Sequence, residues 1–135
     1  MAGANCWGVA FDDYGQVFHK SGDRAHGYWT VPGMVRGASP IGSGSTTEAN
    51  ASYGNSPEQY HSVGPLFETP RKSTSIDFIG TKAMPEDIQG CALLGGYLGH
   101  VVQLHRLEDR GAGFKSSVLP DLMSSSNTAF RPVDV

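Results

Sequence analysis

Arg131 and His100 are the two residues whose surroundings best suit the binding of a small ligand. Arg131 lies between Phe130 and Pro132 at the start of an apolar segment, and His100 follows Gly99 where a strand should begin. A guanidinium can bind a carboxylate through two parallel hydrogen bonds, and an imidazole can exchange a proton near neutral pH. The alternatives are a salt bridge at a strand end for Arg131 and a surface or packing position for His100. Both are candidate cofactor-binding residues, and no catalytic base is assigned.

The spacing of histidines and aspartates does not predict a metal centre. His100 and His105 are five residues apart, so on a strand they point to opposite faces, and no histidine pair has zinc-site spacing. Asp12, Asp13 and Asp23 could supply oxygen ligands to calcium, but no EF-hand pattern surrounds them. We prefer the interpretation that these aspartates form turns by accepting hydrogen bonds from their own backbone.

The glycine, serine and cysteine patterns of the chain do not predict a nucleotide-binding loop or a catalytic nucleophile. The run Gly95-Gly96-x-x-Gly99 is not a dinucleotide-binding loop, because no helical pattern follows it. No Gly-x-Ser-x-Gly nucleophile motif occurs. Cys91 lies in an apolar run, which favours a buried inert thiol, although a disulfide with Cys6 stays open.

The composition indicates short strands joined by loops. Apolar residues make up 39% of the 135 residues, and the chain holds 18 Gly and 8 Pro, so few strong helix formers remain and a helical bundle is disfavoured. No stretch is long and apolar enough for a transmembrane helix. The net charge of −3 argues against a nucleic-acid partner, which normally meets a basic patch. The first residues lack the basic and apolar regions of a signal peptide.

Alternating hydrophobicity predicts a hairpin at the start of the chain. In residues 6–12, Trp7, Val9 and Phe11 share one face, as in a half-buried strand. A turn follows at Asp13-Tyr14-Gly15, and residues 16–20 form the next strand. Residues 26–31 are a third possible strand.

Residues 32–75 form a long insertion in which more than half of the residues are Gly, Pro, Ser or Thr. A loop of this length inside a domain is often functional or disordered. Its later part contains apolar and aromatic residues, which predict that it returns to the body and packs there. These are Tyr53, Tyr60, His61, Leu66 and Phe67.

The second half is predicted to be more regular. We expect strands at residues 74–80, 91–97, 101–107, 114–119 and 130–135, separated by polar or Pro- and Gly-containing connections. The order of a strand, a turn with Gly beside Gln, and a second apolar strand occurs in residues 6–18 and again in residues 75–94. Such a repeat, with the insertion removed, has the spacing of propeller blades.

These segments carry a family resemblance. The stretch STSIDFIGTKAMPEDIQGCALLGGYLGHVVQLHRLED, together with FRPVDV at residues 130–135, resembles the glucose/sorbosone dehydrogenase-like β-propellers. It is most similar to the membrane-bound, haem-linked dehydrogenases of planctomycete-type bacteria. The segment CWGVAFDDYGQVFHKSGD is similar to the opening strands of the preceding blade.

The resemblance implies an all-β fold comprising about two blades of a six-bladed β-propeller. Residues 1–31 would belong to one blade, 76–127 to a second, and 128–135 to the first strand of a third, with residues 32–75 as the insertion. The parent would be periplasmic or secreted, and the other blades would be partners of this segment. The chain would then be a fragment, inactive and poorly stable alone.

The resemblance also implies an activity. Relatives oxidise sugars or sugar alcohols with pyrroloquinoline quinone (PQQ) and calcium, and pass electrons to a quinone or a c-type cytochrome. Arg131 corresponds to an arginine that binds the carboxylates of PQQ, while Val133 stands where that family has a second arginine and a lysine of the family falls near Leu98. Two other functions stay open: a non-catalytic propeller that binds carbohydrate or protein, and a Gly/Ser-rich assembly subunit.

Overall fold

The computed structural model describes residues 6–21, 26–30, 65–69 and 72–135. These residues contain no α-helix, only a single 3₁₀ turn at Glu86–Ile88, so the predicted all-β class is confirmed. The described residues hold eight strands: β1 (Cys6–Phe11), β2 (Val17–Ser21), β3 (Gly27–Thr30), β4 (Ile76–Phe78), β5 (Ala92–Gly96), β6 (Val101–Arg110), β7 (Gly113–Val118) and β8 (Met123–Ser124).

The first sheet is an antiparallel meander in the order β1-β2-β3. The predicted hairpin between β1 and β2 is present. Asp12 Oδ1 accepts hydrogen bonds from the backbone N–H of Tyr14 at 3.0 Å and of Gln16 at 2.8 Å, and Gly15 has a φ of 76°. An aspartate followed by a glycine in the left-handed region is typical of such a turn.

The second sheet follows the order β4-β5-β6-β7, and β8 also pairs with β6. Because β5 occupies one edge of β6 at Val101 and Val102, β8 pairs with those residues on the edge that β7 uses further along. β7 and β8 are therefore two parts of one interrupted outer strand. The interruption includes Pro120, which has no N–H to donate. The prediction that residues 120–127 form only a connection missed this second part.

The two sheets pack face to face around one apolar core. The buried members of this core are Ala10, Phe18, Phe67, Ile76, Ala92 and Leu94. Phe18 is fully buried, and its ring centroid lies 4.8 Å from that of Phe78 and 5.7 Å from that of Phe114. Contacts between aromatic rings at these separations add to the burial of apolar area.

The face of β1 that enters the core is the opposite of the expected one. Trp7, Val9 and Phe11 are 45%, 49% and 61% exposed, whereas Ala10 is buried. A Cβ added at Gly8 would lie 3.2 Å from the backbone nitrogen of Ile76. Small residues allow β1 to approach β4 closely. The face of β1 that carries Gly8 and Ala10 therefore packs against β4, and the face that carries the large side chains is exposed.

The insertion returns to the core, as predicted for Leu66 and Phe67. Phe67 is fully buried, and its backbone exchanges two hydrogen bonds of 3.0 Å with Gly27 at the start of β3. A Cβ added at Gly27 would lie only 2.8 Å from the Phe67 ring, so this contact depends on glycine. Tyr53, Tyr60 and His61 lie outside the described residues.

The outer face of the second sheet carries a smaller cluster. Its buried residues are Ile79, Cys91 and Leu104, and Met84 and Ile88 partly cover them. The Cys91 thiol is buried and free, which confirms the preferred interpretation of this residue.

The last residues depart from the prediction. No strand is formed by residues 130–135, because no described strand pairs with their backbone. They are held instead by side chains, since the Thr74 hydroxyl donates a hydrogen bond of 2.9 Å to the carbonyl of Pro132. Within the described residues, no helix has the length and apolar character needed to cross a membrane.

Candidate functional site

His100 lies in the tight turn that joins β5 to β6. Its φ of 55° is the only positive value at a non-glycine residue in the described part of the chain. The ring Nδ1 lies 2.7 Å from the carbonyl oxygen of Phe130. Because a carbonyl can only accept a hydrogen bond, Nδ1 carries the proton in this contact. The His100 carbonyl in turn accepts from the N–H of Ser125 at 3.0 Å, so His100 attaches the turn to the end of the chain.

Arg131 is exposed and lies over the same turn. Its Cζ is 5.1 Å from the centroid of the Tyr97 ring, a cation–π contact. Nη1–H donates to the Tyr97 hydroxyl at 3.2 Å, and Nε–H donates to the carbonyl of Thr128 at 3.3 Å. A guanidinium has five N–H donors, so the three not used in these bonds remain for another acceptor.

The two predicted residues are therefore brought to one corner of the second sheet. His100 holds the carbonyl of Phe130, which is the residue before Arg131. We name the group formed by Tyr97, His100, Phe130 and Arg131 the arginine corner. Its base is tightly packed, because a Cβ added at Gly95 would lie 2.7 Å from Ser75 Oγ and 3.2 Å from the Pro132 carbonyl oxygen. Cofactor binding by Arg131 and His100 stays a prediction.

The donor set of the arginine corner suits a single carboxylate better than the whole of PQQ. Val133 and Leu98, which the resemblance sets at or near the two other cationic positions expected for PQQ binding, are apolar and 60% and 44% exposed. They offer no donor to a second or third carboxylate. Arg131 alone has the fork geometry that a carboxylate requires.

The described residues offer fewer suitable ligands to calcium than to PQQ. One carboxylate oxygen of Asp12 is engaged in the β1–β2 turn, as the preferred interpretation expected, and Asp23 lies outside the described residues. Across residues 6–21, 26–30, 65–69 and 72–135, no group of three or more His, Cys, Asp or Glu side chains could hold a metal ion. The described residues therefore do not fit a calcium site.

Sequence reasoning missed the buried His105 in the core. It is fully buried on β6, and neither ring nitrogen has a hydrogen-bond partner among the described residues. The His105 ring contacts the Phe67 ring nearly at a right angle, with a centroid separation of 5.6 Å. Burial lowers the pKa of His105 to about 4, because the charged imidazolium would lose its hydration. Both faces of β6 contain apolar residues, so its pattern gave no signal for which face is buried.

Sequence reasoning also missed Lys20, which is fully buried on β2. Its partners in the sheet are Gly8 on β1 and Gly27 on β3. Nζ donates to the carbonyl of His26 at 3.2 Å. Burial, and secondly the charge of Lys72, lower the pKa of Lys20 to about 7.

Comparison of the chain with protein-family models, with curated proteins and with solved structures finds no match.

Proposed function

We propose that this chain belongs to a β-propeller of the glucose/sorbosone dehydrogenase-like kind and that its two sheets are neighbouring blades. Blades are four-stranded antiparallel sheets arranged around a channel. The β4-β5-β6-β7 meander has that form, and its first strand lies against β1, the first strand of the other sheet. The apolar side chains of Trp7, Val9 and Phe11, exposed on the outer face of β1, are suited to packing against a further blade.

Within this scaffold, the arginine corner binds a carboxylate of a small ligand. The observation that carries the proposal is the exposed Arg131 guanidinium, which is held by Tyr97 and Thr128 and retains three N–H donors. A side chain that is already oriented loses less conformational entropy when a ligand binds. His100 contributes by positioning Phe130, and thereby the backbone from which Arg131 extends.

The parent protein would oxidise a sugar or sugar alcohol and pass the electrons to a quinone or a c-type cytochrome. If PQQ is the cofactor, it supplies the electron-accepting group, and Arg131 holds one of its carboxylates. Tyr97 orients the guanidinium through a cation–π contact with its ring and a hydrogen bond to its hydroxyl. This chain would then contribute ligand binding and orientation, and the base that removes the hydroxyl proton would come from elsewhere in the parent.

Titration of the full chain with PQQ, followed by calorimetry, tests the arginine corner. Removal of a charge-assisted bidentate contact should weaken binding by about tenfold or more, so Arg131→Gln is expected to lose most of the affinity. Arg131→Lys keeps the charge without the fork and should lie between the two. Arg110→Gln removes another exposed arginine, at the far end of β6, and should bind like the natural chain.

The proposal is overturned if Arg131→Gln binds PQQ as well as Arg110→Gln does. It is also overturned if the natural chain does not bind PQQ at millimolar concentration. Tyr97→Phe refines the result, because it removes the hydroxyl that accepts from Nη1 and keeps the ring. We expect it to weaken binding by only a few-fold, because this bond orients the guanidinium and does not contact the ligand.

A second candidate, a non-catalytic module that binds carbohydrate, is favoured by the pairing of Tyr97 with Arg131. An aromatic ring beside a hydrogen-bond donor is also suited to a sugar. Titration with glucose and sorbitol separates the two functions. Sugar binding that survives Arg131→Gln, without PQQ binding, would favour the binding module.

A further inference from the structure

A pocket with a volume of 290 Å³ lies at the end of the sheets opposite the arginine corner. We name it the acidic pocket and define it by six of its lining residues: Asp12, Asp13, Tyr14, Phe78, Asp109 and Phe114. They come from the β1–β2 turn, the end of β4, the end of β6 and the start of β7. The volume lies just below the usual range for ligand pockets, which suits one small molecule.

The apolar wall of the acidic pocket is held by the core. The rings of Phe78 and Phe114 both contact Phe18, which is fully buried. Phe114 also meets the Trp29 ring edge-on at a centroid separation of 4.9 Å. These rings are therefore in place before a ligand arrives, which reduces the entropy lost on binding.

The rim of the pocket is also ordered, by the turn between β1 and β2. Oδ1 of Asp12 accepts from the N–H of Tyr14 and of Gln16, and Gln16 Oε1 accepts from the Trp29 indole N–H at 3.2 Å. Tyr14 nevertheless remains 91% exposed. A large aromatic side chain is thus exposed to solvent at the rim of the acidic pocket.

The charge of the pocket is of one sign. Three of its lining residues are aspartates and none is a lysine, arginine or histidine. This concentration of negative charge repels an anion such as PQQ and attracts a cation. A bare metal ion is a poor occupant, because the described acidic residues form no group able to hold one and the lining also contains Phe78 and Phe114. Charge and apolar surface together suit an organic cation.

We propose that the acidic pocket binds a small organic ammonium ion with an aliphatic portion. The ammonium group is placed among the carboxylates and against the faces of the aromatic rings, which attract cations. The aliphatic portion contacts Phe78 and Phe114. This site is separate from the arginine corner and does not rest on the propeller assignment or on PQQ.

The test is an NMR titration of the full chain with butylammonium chloride and, in a second series, with choline chloride. We expect saturable shifts at the backbone amides of Tyr14, Gly80 and Gly90, with affinity in the millimolar range and a clear decrease as salt is added. Tryptophan fluorescence gives a second readout, because Trp29 touches Phe114.

Charge-removing variants decide whether the carboxylates are responsible. The double variant Asp13→Asn with Asp109→Asn should weaken butylammonium binding by about tenfold, while PQQ binding at the arginine corner is unchanged. Asp121→Asn, at an exposed aspartate outside the pocket, is the matched control and should behave like the natural chain. Tyr14→Ala should weaken binding more than Tyr14→Phe, which keeps the ring.

Three results would overturn the proposal. The first is butylammonium binding that is equal in the double aspartate variant and in Asp121→Asn. The second is saturation by glucose at lower concentration than by either ammonium ion, which would make the pocket a sugar site. The third is saturable shifts with calcium chloride that displace butylammonium, which would make it a metal site.

Discussion

The arginine corner and the acidic pocket lie at opposite ends of the same strands, and the residues that form them differ in charge. At one end, Arg131 lies over Tyr97 beside His100. At the other, Asp12, Asp13 and Asp109 surround aromatic rings. In an antiparallel meander, successive turns alternate between the two ends, so the β5–β6 turn and the residues after β8 share one end. The β1–β2 and β6–β7 turns share the other. Turn composition therefore gives each end its own ligand chemistry without a change in the strands.

The difference also extends to how each end is supported. The acidic pocket rests on the aromatic core, through the contacts of Phe78 and Phe114 with Phe18. The arginine corner rests on hydrogen bonds between polar groups and on the close approach of Gly95 to Ser75 and Pro132. Core substitutions and polar substitutions should therefore separate the two ends.

The largest effect is expected from Phe18→Ala. Removal of a fully buried phenylalanine leaves a cavity and should lower the free energy of unfolding by about 3–5 kcal/mol, measured by urea denaturation. The cavity lies directly behind Phe78 and Phe114, so butylammonium affinity should fall by a larger factor than PQQ affinity.

Two further variants keep this prediction testable. Phe18→Leu retains most of the volume and should cost about 1 kcal/mol, which leaves enough folded protein for both titrations. Phe11→Ala, at a residue that is 61% exposed, should change the stability much less. A loss of stability for Phe11→Ala as large as that for Phe18→Ala would contradict the assignment of the core face of β1.

Acid should lower the stability of the whole fold, and thus affect both sites together, through the protonation of His105. Its pKa is lowered by burial to about 4, against an ordinary value of 6.5. As the pH falls from 6.5 to about 4, His105 is therefore protonated in the unfolded chain but stays neutral in the folded chain. This group's contribution to stability is complete above pH 6.5 and is lost across that interval, by about 3 kcal/mol in all.

Urea denaturation at several pH values measures this loss, and His105→Leu is the matched variant. Leucine cannot take up the proton, and it removes two buried nitrogen atoms that have no described partner. The variant should therefore show a flatter dependence of stability on pH between 6.5 and 4. A pH profile identical to that of the natural chain would show that His105 is not buried in a neutral state.

A smaller effect on stability than that of Phe18→Ala is expected from Gly95→Ala, and it should be confined to the arginine corner. The added methyl group would lie within 3.2 Å of both Ser75 Oγ and the Pro132 carbonyl oxygen, so one of them must move. We expect a cost of about 1–3 kcal/mol and weaker PQQ binding, with butylammonium binding unchanged. Gly80→Ala is the control, because no heavy atom lies within 4 Å of its new Cβ. Equal loss of both ligands in Gly95→Ala would contradict the separation of the two ends.

Local signals in the sequence predicted local structure well. The β1–β2 hairpin follows from Asp12 and Gly15, whose effects act within a few residues. The strands β5 and β6 were found because apolar runs between glycine-rich or polar segments have few alternatives to a buried strand. Leu66 and Phe67 were expected to pack because two large apolar side chains rarely stay in water.

Features that depend on a distant neighbour were missed. Alternation in β1 shows that Trp7 and Val9 share a face, but the choice of the buried face depends on β4, which follows a long insertion. β8 exists because β6 extends far enough to pair with two residues beyond Pro120. For the candidate sites, Arg131 and His100 were identified individually, whereas the contribution of Tyr97 requires the turn geometry, and the acidic pocket combines four separate segments.

By itself, the sequence determined the all-β class, the turns and the positions of most strands, because hydrophobic period, glycine and proline act over short distances. It also determined that Arg131 is a candidate for binding a carboxylate, because this follows from the chemistry of the guanidinium. Only the tertiary structure decided that small residues of β1 face the core, that His105 and Lys20 are buried, and that Arg131 and the three aspartates of the acidic pocket lie at opposite ends of the strands. Each of these features depends on which strands pack together. That packing is stabilised by the burial of apolar side chains that lie far apart in the sequence.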